Sequence, residues 1–270
     1  MLFTELPFMQ RFEAAAKAGF QAVEYLFPYA CDKKELAAAL RDNGLAQVLH
    51  NLPAGNWEAG ERGIGCHPDR VGEFREGVAR AIDYATALGC PQVNCLLGKL
   101  PEGVTHADAR RVVVDNLRFA SKELLGAGIR LLIEPINTFD IPGFYLNRTE
   151  QALALLDEVG SPNLRVQYDI YHAQRMEGEL GNTLSRNIAR IGHIQLADNP
   201  GRNEPGTGEI NYAWLFRHID ALGYRGTIGC EYKPRTTTVD GLGWLEDYAP
   251  AHALTPTRSQ REREPALQPQ

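Results

Sequence analysis

Three carboxylates and one amide, Glu134, Asp169, Glu231 and Gln195, each close a short apolar run in the second half of a 270-residue chain. The runs cover 129–134, 164–169, 191–195 and 227–231; each has strand length and is followed by a loop and a helix-period segment. Side chains alternate across a strand, so Glu134 shares a face with Leu132, Asp169 with Gln167, Gln195 with His193, and Glu231 with Gly229 and Thr227. With those faces turned inward the four ends converge into a hard, all-oxygen set. Such a set suits Mg2+ or Mn2+ and is poor in the nitrogen and sulfur donors that zinc prefers. Three anions in one place repel each other, which is the physical motive for a divalent cation among them. Taken singly, each residue reads equally well as a strand-end polar group capping a loop, and it is the repetition that carries the metal reading. Gln167 and His193, one step lower on their strands, read as a hydrogen-bonded pair inside the structure.

The elements that must position these groups alternate regularly. Strand-like runs fall near 20–27, 45–52, 91–97, 129–134, 164–169, 191–197 and 226–231. Helix-period segments fall near 7–19, 32–43, 68–88, 106–127, 148–159, 183–190 and 211–222, with a short one near 241–248. Asp32 and Asn211 stand as N-caps, and Gly19, Gly44, Gly89 and Gly128 follow the last periodic residues of their segments. Strands that alternate with helices imply a parallel sheet. Polar groups on successive strand ends favour an α/β fold of the (β/α)8 TIM-barrel type, whose chemistry sits at the C-terminal ends of its strands. The chain opens almost directly on a helix, so the barrel is expected to lack its first strand here, leaving two strand edges unpaired. The natural chain is accordingly expected to start upstream of Met1. Residues 1–248 are expected to form one catalytic domain, and 249–270, nearly without apolar residues, a disordered tail.

A net charge of −6 argues against a surface that neutralises many phosphates, so nucleic acid is not expected as a partner. Cys31, Cys66, Cys90, Cys95 and Cys230 are odd in number and form no C-x-x-C pair, which fits a reducing cytoplasm rather than a disulfide framework. No apolar stretch nears the roughly 18 residues of a membrane span, and the N-terminus has no export signal. The Gly-rich loop 200–209 matches no phosphate-binding fingerprint; it permits a lid, an ordinary surface turn or a subunit contact, and a homo-oligomer is left open.

Several segments together carry a resemblance. Leu132-Ile-Glu-Pro-Ile-Asn137, Gln167-Tyr-Asp-Ile-Tyr-His172, Gly192-His-Ile-Gln-Leu-Ala-Asp198, Glu204-Pro-Gly-Thr-Gly-Glu-Ile-Asn211 and Gly229-Cys-Glu-Tyr-Lys-Pro234 resemble the hydroxypyruvate isomerase family of xylose isomerase-like TIM barrels. His50-Asn-Leu-Pro-Ala-Gly55 and Ala59-Gly-Glu-Arg-Gly63 extend the likeness, which runs from about residue 3 to about residue 248. The resemblance implies that Glu134 and Glu231 are the proton donor and acceptor, and that Glu134, Asp169, Gln195 and Glu231 surround a divalent ion. It further implies interconversion of hydroxypyruvate and tartronate semialdehyde through an enediolate, in glyoxylate metabolism.

A small 2-oxo acid needs a cation or convergent N–H donors for its carboxylate, and Arg62, Lys233 and Lys99 lie in loops on the presumed active face. Lys99 reads better as a solvated surface charge, whereas Arg62 and Lys233 sit inside the matching segments. His172 and His50 are candidate partners of a substrate hydroxyl, each equally readable as a buried structural histidine. The alternative substrate within the family is 2-oxo-tetronate. Two other readings rank lower: an abasic-site endonuclease, which needs more histidines at the site, and a non-catalytic small-molecule binder.

Overall fold

The computed structural model describes residues 1–247. Seven parallel strands form one sheet in chain order: β1 (Ala22–Glu24), β2 (Ala46–Asn51), β3 (Gln92–Cys95), β4 (Arg130–Ile133), β5 (Leu164–Asp169), β6 (Ile191–Leu196) and β7 (Ile228–Cys230). Helices α1 (Arg11–Lys17), α2 (Lys33–Asp42), α3 (Val71–Leu88), α4 (His106–Gly126), α5 (Thr149–Val159), α6 (Ile170–Met176), α7 (Leu180–Asn187) and α8 (Tyr212–Ala221) alternate with them. The architecture is the expected TIM barrel without its first strand, nearly closed. The short final helix is a 3-10 segment, Asp240–Asp247. The expected tail at 249–270 lies outside the described residues.

Local signals place the helices as the sequence indicates. The Asp32 carboxylate accepts from the backbone N–H groups of Lys34 and Glu35 and so caps α2. Gly89, at φ +64, ends α3 in the left-handed conformation that an L side chain adopts only under strain. The central strands are buried on both faces, with Leu131, Ile133, Val166 and Ile194 packed outward against a helical layer containing Val113, Leu117 and Leu155. Helix α4 presents Ala109, Val113, Leu117, Ala120 and Leu124 on one stripe, and these are fully buried.

Among the described residues no strand joins β7 to β1. The N-terminal segment lies across that opening: the Phe3 N–H donates to Thr238 Oγ1 at 2.6 Å, and the Glu5 carboxylate accepts from the N–H and hydroxyl of Thr238. These bonds tie the N-terminal segment to the chain that follows β7. No helix of the described residues is long and apolar enough to cross a membrane.

Candidate active site

Glu134 follows directly on β4 and is 6% exposed. Its Oε2 accepts a hydrogen bond from Asn94 Nδ2 on β3 at 2.9 Å. Asn94 pairs with Leu132, which shares the face of Glu134, so register turns all three into the barrel. Asp169 ends β5 and caps α6 through its Oδ1, which accepts from the Tyr171 N–H at 2.8 Å. Its Oδ2 is buried with no hydrogen-bond partner. Glu231 follows β7, and His172 sits in the first turn of α6. Oxygens of Glu134 and Asp169 and a ring nitrogen of His172 lie within 4.8 Å of one another.

Arg202, from the loop between β6 and α8, reaches into the middle of this group. Its Nη2 lies 3.1 Å from Glu231 Oε2, 3.6 Å from Asp169 Oδ2 and 3.4 Å from His172 Nε2. The guanidinium also stacks 5.0 Å from the Tyr171 ring centroid. Tyr171 in turn donates its hydroxyl to Asp140 at 2.9 Å.

The His172 ring is oriented from behind. Asn137 Nδ2 lies 2.6 Å from His172 Nδ1, while Asn137 Oδ1 accepts from the Asp140 N–H at 2.8 Å. That second bond settles which end of the amide is nitrogen, so His172 Nδ1 accepts and the proton sits on Nε2, facing Asp169 at 3.6 Å and Glu134 at 3.8 Å. Burial, reinforced by Arg202, lowers the His172 pKa to about 3, and the ring is neutral. With its proton on Nε2 it is a hydrogen-bond donor to the site rather than a metal ligand.

The carboxylates are unequal. Burial, followed by the charges of Glu231 and Asp169, pushes Glu134 well above the ordinary carboxylate range. Burial also raises Glu231, but Arg202 beside it pulls in the opposite direction. Asp169 is raised by burial, again against Arg202. A pair of carboxyls with divergent environments can hold a proton on one member and a charge on the other, as general acid and base require.

Other residues singled out in the sequence fall in several places. Gln195 lies on the adjoining strand, but its Oε1 accepts from Gln167 Nε2 at 2.5 Å and its Nε2 donates to Glu24 Oε1 at 2.8 Å. His193 faces Glu24 Oε2 at 2.6 Å. Gln167 and His193 are thus both hydrogen-bonded inside the barrel, though to Gln195 and Glu24 and not to each other. His50 pairs with Val93, the neighbour of inward-facing Asn94, and so faces the opposite way, towards Gln47 and the Tyr29 ring. Burial lowers its pKa to about 4. The structure does not bring His50 to the carboxylates. Arg62 stacks on Trp57 at 4.1 Å and, with Lys99, lines a rim cavity of about 180 Å³. Lys233 is exposed, and its backbone N–H, not its side chain, meets the Arg202 carbonyl at 2.8 Å.

Arg202, Asn94, Asn137 and Glu24 were not evident from the sequence. Arg202 is the cation in the loop that follows the Gln195 strand, and barrel loops of that kind build sites; the loop's position was the signal, but its Gly-rich composition is equally open to a lid, a surface turn or a subunit contact and singles out no side chain. Glu24 bonds residues about 170 positions away, for which no local pattern exists.

A family model described as xylose isomerase-like TIM barrel matches residues 12–248. Over 248 residues the chain is 57% identical to the hydroxypyruvate isomerase of Escherichia coli, covering 92% of this chain and 96% of that protein. It is 48% identical to the 2-oxo-tetronate isomerase of Cupriavidus necator, covering 92% and 95%. A crystal structure described as an AP endonuclease, family 2, from Brucella melitensis superposes with a TM-score of 0.89 at 42% identity, covering 92% of this chain and 95% of that one.

Proposed function

This chain belongs to the hydroxypyruvate isomerase family of xylose isomerase-like TIM barrels, and from that premise we propose that it interconverts hydroxypyruvate and tartronate semialdehyde. The observation that carries the proposal is the cluster of Glu134, Asp169, Glu231 and neutral His172 around one part-buried guanidinium, Arg202, which pairs with Asp169 and Glu231.

Hydroxypyruvate has a ketone between a hydroxymethyl group and a carboxylate. In the proposed reaction Glu231, whose charge Arg202 favours, takes a proton from C3. The electron pair forms the C2–C3 double bond of an enediolate. Glu134, the more readily protonated of the two because burial and two neighbouring carboxylates raise its pKa, returns a proton to C2. The C3 hydroxyl proton passes to the C2 oxygen, leaving an aldehyde at C3 and an alcohol at C2. His172 Nε2–H donates to the substrate oxygens as charge develops. Arg202 holds the substrate carboxylate, a role for which its planar donors suit it better than a lysine.

The donor set also fits a divalent ion: Asp169 Oδ2 is buried and accepts no hydrogen bond, with Arg202 and His172 no nearer than 3.6 Å, and the mutual repulsion of the carboxyls is the kind a cation relieves. Glu134, Asp169 and Glu231 would hold Mg2+ or Mn2+, with Gln195 as the next oxygen once released from Gln167. When bound, such an ion polarises the substrate oxygens and stabilises enediolate charge.

Turnover of hydroxypyruvate and of 2-oxo-tetronate, compared side by side with and without chelator and added Mn2+, tests this reading. Higher kcat/KM for hydroxypyruvate supports it; a preference for the four-carbon acid moves the substrate but keeps the chemistry. Failure on both, or incision of an abasic duplex, rejects it. Hydrogen exchange divides the two glutamates: in D2O, Glu134→Gln should still wash out the C3 hydrogens of hydroxypyruvate without making product, and Glu231→Gln should do neither.

A further inference from the structure

We propose that Asp198 is a positioning residue whose carboxylate folds the 199–210 segment into a fixed cradle and thereby sets Arg202 over the site. The inference rests on the proposed role of Arg202 as the receptor of the substrate carboxylate.

Asp198 lies just beyond β6 and is 1% exposed. It reaches no group of the carboxylate cluster. Its two oxygens instead accept four backbone N–H groups: Oδ1 from Asn199 at 2.9 Å and Ile210 at 3.1 Å, and Oδ2 from Gly206 and Gly208, both at 2.9 Å. The Asp198 N–H donates to the Asn203 carbonyl at 2.8 Å, and the Glu209 N–H to the Asn199 carbonyl at 2.9 Å. One buried carboxylate thus satisfies amides from both ends of the segment and closes it on itself. Such charge-assisted bonds are stronger than neutral ones.

Arg202 stands at the tip of that closed segment with φ +55, a left-handed conformation costly for a side chain of its size. Something must hold it there. The Arg202 carbonyl accepts from the Lys233 N–H at 2.8 Å, and Asn203 Nδ2 donates to the Lys233 carbonyl at 2.7 Å, so the cradle is also tied to the strand end that carries Glu231. The geometry leaves no room for a side chain at 208: a Cβ there would collide with the Asn199 carbonyl oxygen and come 2.7 Å from Asp198 Oδ1. Gly208 therefore serves close approach of backbone to carboxylate, while Gly206, at φ +88 in open space, serves the turn itself, and the loop is a clamp rather than a lid.

The test uses the full chain with Asp198→Asn, Arg202→Lys, the double variant, and Gly208→Ala as a second disturbance of the same cradle should Asp198→Asn fold poorly. An amide at 198 replaces one acceptor oxygen with a donor, facing two N–H donors. The expected results are faster amide exchange across 199–210 by about tenfold or more, and a KM for hydroxypyruvate raised by roughly 10- to 100-fold with a smaller change in kcat. The double variant should bind substrate no worse than Arg202→Lys alone, because the carboxylate acts only through the arginine. Unchanged exchange in 199–210, an unchanged KM, or KM penalties that multiply in the double variant each overturn the proposal. If the wild type turns over neither acid, the functional reading falls, and the exchange measurement then decides the cradle by itself.

Discussion

Replacing Glu134 by Gln should abolish isomerisation and at the same time raise the melting temperature of the metal-free protein. The amide keeps the shape and the bond from Asn94 Nδ2 but removes one of three ionisable carboxyls from a buried cluster, and with it the charge that Glu134 acquires as pH rises. Oxygens of Glu134 and Asp169 lie within 4.8 Å of one another, and two unit charges at that separation repel by about 3 kcal/mol at an effective dielectric constant near 20. Arg202 offsets part of this, since it attracts each carboxylate, which leaves a gain of about 1–2 kcal/mol. For a chain of this size each kcal/mol moves Tm by about 2–4 °C. The effect must depend on pH with a definite sign. The folded-state pKa of Glu134 lies above its unfolded value, so its contribution to stability is complete below the unfolded pKa and is lost as pH rises through the folded one. The glutamine does not titrate, and the Tm advantage of the variant should be absent in acid and grow towards pH 8. Calorimetric melts from pH 4 to pH 8 after chelation, with turnover measured alongside, provide the check. A variant that melts below the wild type at pH 8, a gap that is flat with pH, or turnover within tenfold of wild type would refute the reasoning.

Three further outcomes follow from the same geometry. Arg202→Lys should raise KM for a 2-oxo acid by roughly 10- to 100-fold, the cost of replacing a bidentate donor by a point charge; steady-state kinetics with an unchanged KM would remove the carboxylate role. Because burial holds His172 at about 3, the kcat/KM profile between pH 5 and 8 should show no inflection that disappears in His172→Asn. Burial pushes the thiols of Cys66, Cys90 and Cys230 up to about 12, so iodoacetamide at pH 7.5 should leave them unmodified in the native protein, as peptide mass analysis would show, and label them rapidly after denaturation.

Much of the barrel and part of the site were legible in the linear chain. Glu134, Asp169 and Glu231 could be placed because each ends an apolar run of strand length, and alternation with helix-period segments is a local property of neighbouring residues. Caps such as Asp32 and Gly89 mark element ends through contacts two to four residues apart. The missing first strand was also visible, since its absence needs only a count.

What escaped depends on register and on distant contacts. His50 and Asn51 are neighbours, and the alternation of the strand alone decides that one faces the helices while the other shares the inward face of Asn94; a pattern read without its pairing cannot tell them apart. The amide of Gln195 gained its orientation from Gln167 and Glu24, and the tautomer of His172 from Asn137. Arg202 has a left-handed backbone in a segment whose N–H groups donate to Asp198, and its carbonyl accepts from the Lys233 N–H. Residue types and spacing thus determined which candidate chemistry the chain could be read for, because those are matters of local periodicity. Which oxygen is free, which nitrogen bears a proton and which cation stands over the carboxylates were decided only when strands and loops remote in sequence closed on one another.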